Sequence, residues 1–121
     1  MKKAVFIFLG TLFSLGVFAQ CENWNEAPNK EELEEYHVLY QQAIENKNFE
    51  EAYTYWSKVF PVAPAADGKR LSQYLEGIAI YNHMFKNETD QAKKDELKEK
   101  ALAIYDQLVE CLQGGAIECQ G

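Results

Sequence analysis

The stretch NFEEAYTYWSKVFPVAP, residues 48–64, reads as a helix with a marked start and a marked stop. Asn48 is a good N-cap, and Glu51 stands three residues on, where a capping-box carboxylate reaches back to the cap. Phe49, Ala52, Trp56, Val59 and Phe60 recur at three- and four-residue steps and share one face. Pro61 stops the helix because it has no amide to donate and clashes with the preceding turn.

The segment before it has the same character. Residues 30–46 carry Leu33, Tyr36, Tyr40, Ala43 and Ile44 on one stripe, with Glu31, Glu34, Glu35, Gln41 and Glu45 elsewhere. Asn29 is placed to cap this helix, with Glu32 in the capping-box position. Only the polar turn Asn46-Lys47-Asn48 separates the two helices, so they must lie antiparallel, as a hairpin over residues 29–60.

Beyond it, residues 61–66 form a linker with two prolines, and Asp67 is placed to cap a third helix reaching about residue 86. Its apolar positions are Leu71, Tyr74, Leu75, Ile78, Tyr81 and Phe85. Gly77 inside it costs about 1 kcal/mol against alanine, which points to a neighbour packed close. A fourth helix spans residues 90–112. Its first turns, QAKKDELKEK, are charged and expected to project from the body. Leu97, Ala101, Ile104, Leu108 and Cys111 then form a stripe flanked by Leu102, Tyr105 and Leu112. Gly114-Gly115 ends it and leaves a tail, residues 113–121. The expected fold is all-α: two antiparallel hairpins, 29–60 and 67–112, stacked on one another or closed into a four-helix bundle.

The first 19 residues read as a signal peptide. Lys2 and Lys3 precede a charge-free run to Ala19, after which cleavage is expected. The run is shorter than the ~20 residues a spanning helix needs, so no stable membrane span is expected. Gln20 stands before Cys21 where a lipobox wants Gly, Ala or Ser, which disfavours acylation. The expected location is periplasmic or extracellular, with residues 20–28 as an extension before the helices. Loss of Lys2 and Lys3 moves the formal charge from −7 to −9. Such acidity disfavours nucleic acid, whose phosphates need Lys or Arg, and its ordinary consequence is solubility.

Cys21, Cys111 and Cys119 remain after cleavage, so one disulfide with an odd thiol left over is plausible in an oxidising compartment. Four antiparallel helices bring all three to one end of the body, and Cys111 lies on the buried stripe. A Cys21 bridge to Cys111 or Cys119 would require the first and fourth helices to be neighbours, as in a closed bundle. A Cys111–Cys119 bridge would only staple the tail.

The first hairpin resembles the tetratricopeptide repeat. Tyr36 and Leu39 stand at its large first-helix positions, Phe49 at the aromatic opening the second helix, Ala52 at the small crossing position, Trp56 at the next aromatic and Pro64 at the closing proline. Tyr40 and Ala43 depart from it, large and small residues being exchanged. The second hairpin matches partly: Gly77 resembles the small residue of a first helix, Ala101 and Tyr105 the small and aromatic residues of a second. Their wide spacing implies that both helices are longer than usual, with residues 87–98 as the added length. The resemblance implies a right-handed stack, like the secreted tetratricopeptide-like proteins of bacterial envelopes. It also implies a peptide-binding face along the first helix, at Glu34, His37, Gln41 and Glu45.

Little points to catalysis. Glu34 and His37 are one turn apart, but two ligands do not make a metal site, and both histidines, His37 and His83, read as helix-surface residues. No phosphate-cradling glycine loop or nucleophile elbow is present. The aromatic residues fall on core stripes, except Tyr53 and Tyr55, which are left to contact the third helix or a partner. The expectation is a non-enzymatic interaction scaffold without cofactor or metal, binding a protein or peptide. A structural component linked through the odd cysteine as a homo-oligomer is the alternative, and a small metal-binding or enzymatic protein a further one.

Overall fold

The computed structural model describes residues 21–115 and 117. The signal-peptide cleavage site and Cys119 lie outside the described residues. Four helices, and no strand, occur among the described residues: α1 (Lys30–Glu45), α2 (Phe49–Val59), α3 (Ser72–Asn87) and α4 (Gln91–Gln113).

The turn between α1 and α2 is closed from both sides. Asn48 N–H donates to Ala43 O (2.8 Å) and Lys47 N–H to Ile44 O (2.9 Å), the two bonds of a Schellman motif. Asn48 also opens α2: its Oδ1 accepts from Glu51 N (3.2 Å), and its Nδ2 donates to Glu51 Oε2 (2.9 Å). The motif puts Lys47 at φ 61°, a left-handed conformation that suits glycine better than any residue with a β-carbon. Lys47→Gly should therefore raise stability by about 1 kcal/mol, read as a higher urea midpoint at unchanged slope.

The other caps divide. Asp90 Oδ2 accepts from Lys93 N (3.1 Å) and starts α4. Asn29 makes no side-chain cap; its amide donates only to Glu32 Oε1 (3.3 Å). Asp67 does not begin α3. Its carboxylate accepts from Lys69 N (3.0 Å) and pairs with Arg70 (3.2 Å), and the chain turns through Ala66 at φ 54° and Gly68 at φ 88° before Ser72. Two left-handed residues in three positions preclude a helix there. Nor are both helices of the second hairpin extended: α3 has 16 residues, the same as α1, and α4 alone is long, with 23.

The core is built around Trp56. Its ring stacks on Phe60 (centroids 4.6 Å), meets Tyr81 edge-on (5.5 Å), and its Nε1–H donates to Gln73 O (2.8 Å). Gly77 lies against the same indole, and a β-carbon there would overlap it. The close neighbour that the helical glycine implied is this ring. Tyr53 meets Tyr81 of α3, whereas Tyr55 turns back and stacks on Tyr36 of α1 under Lys58.

Residues 61–66 are more than a linker. Ala63, Pro64, Ala65 and Ala66 are all buried. Gln73, itself fully buried on α3, donates through Nε2 to Ala63 O and Pro64 O, which satisfies carbonyls that no helix could reach. From the other side the extension before α1 straps over this segment: Ala65 N–H donates to Glu22 O (2.9 Å) and Trp24 N–H to Ala66 O (2.8 Å).

The strap explains the disulfide, which joins Cys21 to Cys111 with α-carbons 5.7 Å apart. The bridge does not close a bundle. Consecutive helices pack together, α1 on α2, α2 on α3 and α3 on α4, with no comparable α1–α4 interface among the described residues. Cys21 reaches the end of α4 because nine residues of extension, not α1 itself, cross the intervening distance. Cys111 is completely buried, as its stripe implied.

Candidate functional site

Of the four α1 residues expected to form a peptide-binding face, only Glu34 and Glu45 are exposed. His37, expected on the surface, is 3% exposed. Its ring sits edge-on to both Trp24 (5.4 Å) and Tyr40 (5.0 Å), so the strap covers it. Its Nδ1 donates to Gln73 Oε1 (2.8 Å), because the Gln73 amide nitrogen already serves the two linker carbonyls. Nε2 is buried without a hydrogen-bond partner. Gln41 is half-buried and donates to Glu76 Oε1 (3.2 Å), which also accepts from the Tyr40 hydroxyl (2.8 Å). Half of the expected face is thus committed to holding α1 against α3.

Burial holds the His37 pKa below its ordinary 6.5, against the opposing pull of the Gln73 hydrogen bond and the Glu76 carboxylate. The folded state therefore prefers the neutral ring, while the unfolded chain takes up a proton near pH 6.5. Stability is full above that pH and falls as pH drops below it. A lower urea midpoint at about pH 5 than at about pH 7, with the difference reduced in His37→Leu, would display this linkage.

The surface that stands open is elsewhere. A groove of about 330 Å³ runs between α3 and α4. Ile78, Tyr81, Asn82 and Phe85 form its α3 wall, and Leu97, Lys98, Ala101, Leu102 and Tyr105 its α4 wall. Leu102 and Tyr105 are 54% and 56% exposed, and Leu75, one turn before Ile78, is 51% exposed. Lys94 lies with Nζ 4.7 Å from the Phe85 ring centroid, so a cation edges the groove where α4 begins.

This revises the α3 stripe, whereas on α4 Ile104, Leu108 and Cys111 are buried as their stripe implied. Leu71, Leu75, Ile78 and Phe85 follow helical spacing as expected, but Leu75 is exposed and the other three half-buried. The core side of α3 carries Gln73, Tyr74, Gly77, Ile80 and Tyr81. Gln73 and Glu76 were missed as structural residues. The one local signal for Gln73 is its position a turn before Gly77, on the face that must touch α2.

A wider hollow of about 660 Å³ opens between the 46–48 turn and the end of α3. Phe49 stacks on His83 there (4.0 Å), with Asn87 donating to the His83 carbonyl (2.9 Å). No group of three His, Cys, Asp or Glu side chains is arranged to hold a metal among the described residues, and no described helix is long and apolar enough to cross a membrane. No family model, no curated protein and no solved structure matches this chain.

Proposed function

We propose that the protein is an exported, non-enzymatic interaction scaffold of the tetratricopeptide type, and that the α3–α4 groove is its docking surface. One observation carries the reading. Five large apolar side chains stand half or more exposed among the described residues; two of them, Leu102 and Tyr105, line this groove, and Leu75 stands one turn before Ile78 of its α3 wall. A monomeric surface has no reason to gather apolar groups beside a hollow, whereas a docking site does. In a helical stack, the next helix would pack on this face. The leader-like first 19 residues support export, and so does a disulfide, a bond that persists in oxidising compartments.

Affinity capture of the tagged protein from envelope extract tests the docking surface. A specific partner should be retained by the wild type and by Glu34→Lys/Glu45→Lys. Leu102→Asp/Tyr105→Asp should lose it at least tenfold while keeping native helicity by circular dichroism. Retention by that variant would place the interaction elsewhere.

The cysteine pairing favours a second reading. With Cys21 and Cys111 joined, Cys119 is the odd cysteine of the three, as a covalently linked homo-oligomer requires. A species of twice the monomer mass on a non-reducing gel, absent from Cys119→Ser, would support it.

A further inference from the structure

We infer that the occupant of the groove is the same groove of a second copy, in an isologous dimer whose twofold axis passes beside Leu102. The inference rests on the reading of this groove as a docking surface and adds the identity of what docks.

The outer face of α4 is complementary to itself. A twofold axis at Leu102 sets two α4 helices antiparallel, so that a residue n places before Leu102 meets the residue n places after it in the other copy. Four places before stands Lys98, and four places after stands Asp106. Both lie on the face of Leu102, since residues four apart share a helix face, and both are exposed. Neither takes part in an ion pair within the described structure, where Asp67 pairs with Arg70 and Glu96 with Lys100. The symmetric contact supplies each with an opposite charge, twice over. The two pairs stand about 6 Å along the helix on either side of a Leu102–Leu102 contact.

Shape points the same way. Tyr105 is 56% exposed and stands at the rim of a 330 Å³ hollow, so one face carries both a knob and a hole. Antiparallel pairing carries Tyr105, three places beyond the axis, over the Lys98–Leu102 stretch that walls the hollow in the other copy. Size is adequate too. The 23 residues of α4 run for roughly 34 Å, and two helices side by side are roughly 20 Å across. That face is on the order of the ~800 Å² per partner found in stable interfaces. A foreign acidic helix would satisfy Lys94 and Lys98 but would meet repulsion at Asp106. A second copy satisfies both signs.

Sedimentation equilibrium of purified Cys119→Ser protein tests this without interference from covalent linkage. The expected result is a reversible monomer–dimer equilibrium in the micromolar range. Lys98→Asp and Asp106→Lys should each weaken it at least tenfold, since each places like charges together at two symmetric points. The double variant should recover to within a few-fold of the starting protein, and Leu102→Asp should be monomeric with native helicity. A dimer indifferent to the charge swap would overturn the proposed face. A protein that stays monomeric yet captures a different envelope protein through Leu102 and Tyr105 would overturn the dimer and leave the docking surface standing. A monomer whose groove variants change no interaction would overturn both.

Discussion

Replacing Cys21 or Cys111 with serine should lower stability by about 4–5 kcal/mol, the largest loss expected of any single change in this chain. The two cysteines are 90 positions apart, so their bond closes nearly the whole folded region into one loop. Denying the unfolded chain that much freedom is worth about 4–5 kcal/mol in the chain-entropy description. The native state adds a local consequence. Without the bridge the strap is held by two backbone hydrogen bonds, by Asn25 Nδ2 donating to Asp67 O (3.0 Å) and by Trp24 against His37, and Trp24 is 5% exposed only while the strap lies down. Denaturant titration with and without reductant measures the first effect. Quenching of tryptophan emission by acrylamide measures the second: reduction should expose one of the two tryptophans and leave Trp56 protected. A loss below about 1 kcal/mol would show that the bridge adds nothing beyond contacts already formed.

Gly77→Ala should cost about 1–3 kcal/mol, although alanine is the better helix former. Two effects of opposite sign meet at this position. Helix propensity favours alanine by about 1 kcal/mol. Against it, the new methyl group would occupy the space of the Trp56 ring. Trp56 cannot easily move, because its other face lies on Phe60, its edge meets Tyr81 and its nitrogen is bonded to Gln73 O. Overpacking of a fixed aromatic ring typically costs 1–3 kcal/mol, and a displaced indole also gives up a buried hydrogen bond worth about 1 kcal/mol. The clash wins. Thermal and urea denaturation would reveal it, and a Gly77→Ala protein as stable as the parent would mean that the indole has another place to go. Trp56→Phe in the same background should recover part of the loss, since the smaller ring leaves room.

The first hairpin was legible because its signals are local. A capping box, a three-residue turn and a proline stop each act within four or five residues, and the structure puts α2 at Phe49–Val59, between Asn48 and Pro61. The groove was not legible, for a physical reason. Helical periodicity shows that Leu75, Ile78 and Phe85 share a side, but not whether anything covers that side. His37 and Gln73 failed differently. Each is polar, each is buried, and each is there because the other supplies its hydrogen bond across 36 positions of sequence. The disulfide was anticipated as a possibility, but the neighbouring first and fourth helices it was thought to require were not needed. A strap of eight residues between Cys21 and α1 does the reaching instead.

That strap also determines where mechanical load travels. Cys21 lies before α1, and Cys111 lies two residues from the end of α4. A force applied at the two cysteines passes from one to the other through a single covalent bond. The hairpins hang on that line without being part of it, so stretching the oxidised protein should unfold none of them. After reduction the same pull would run through the strap, α1 and every turn in succession. Oxidation thus turns a chain of separable helical hairpins into a body that tension can tow without opening.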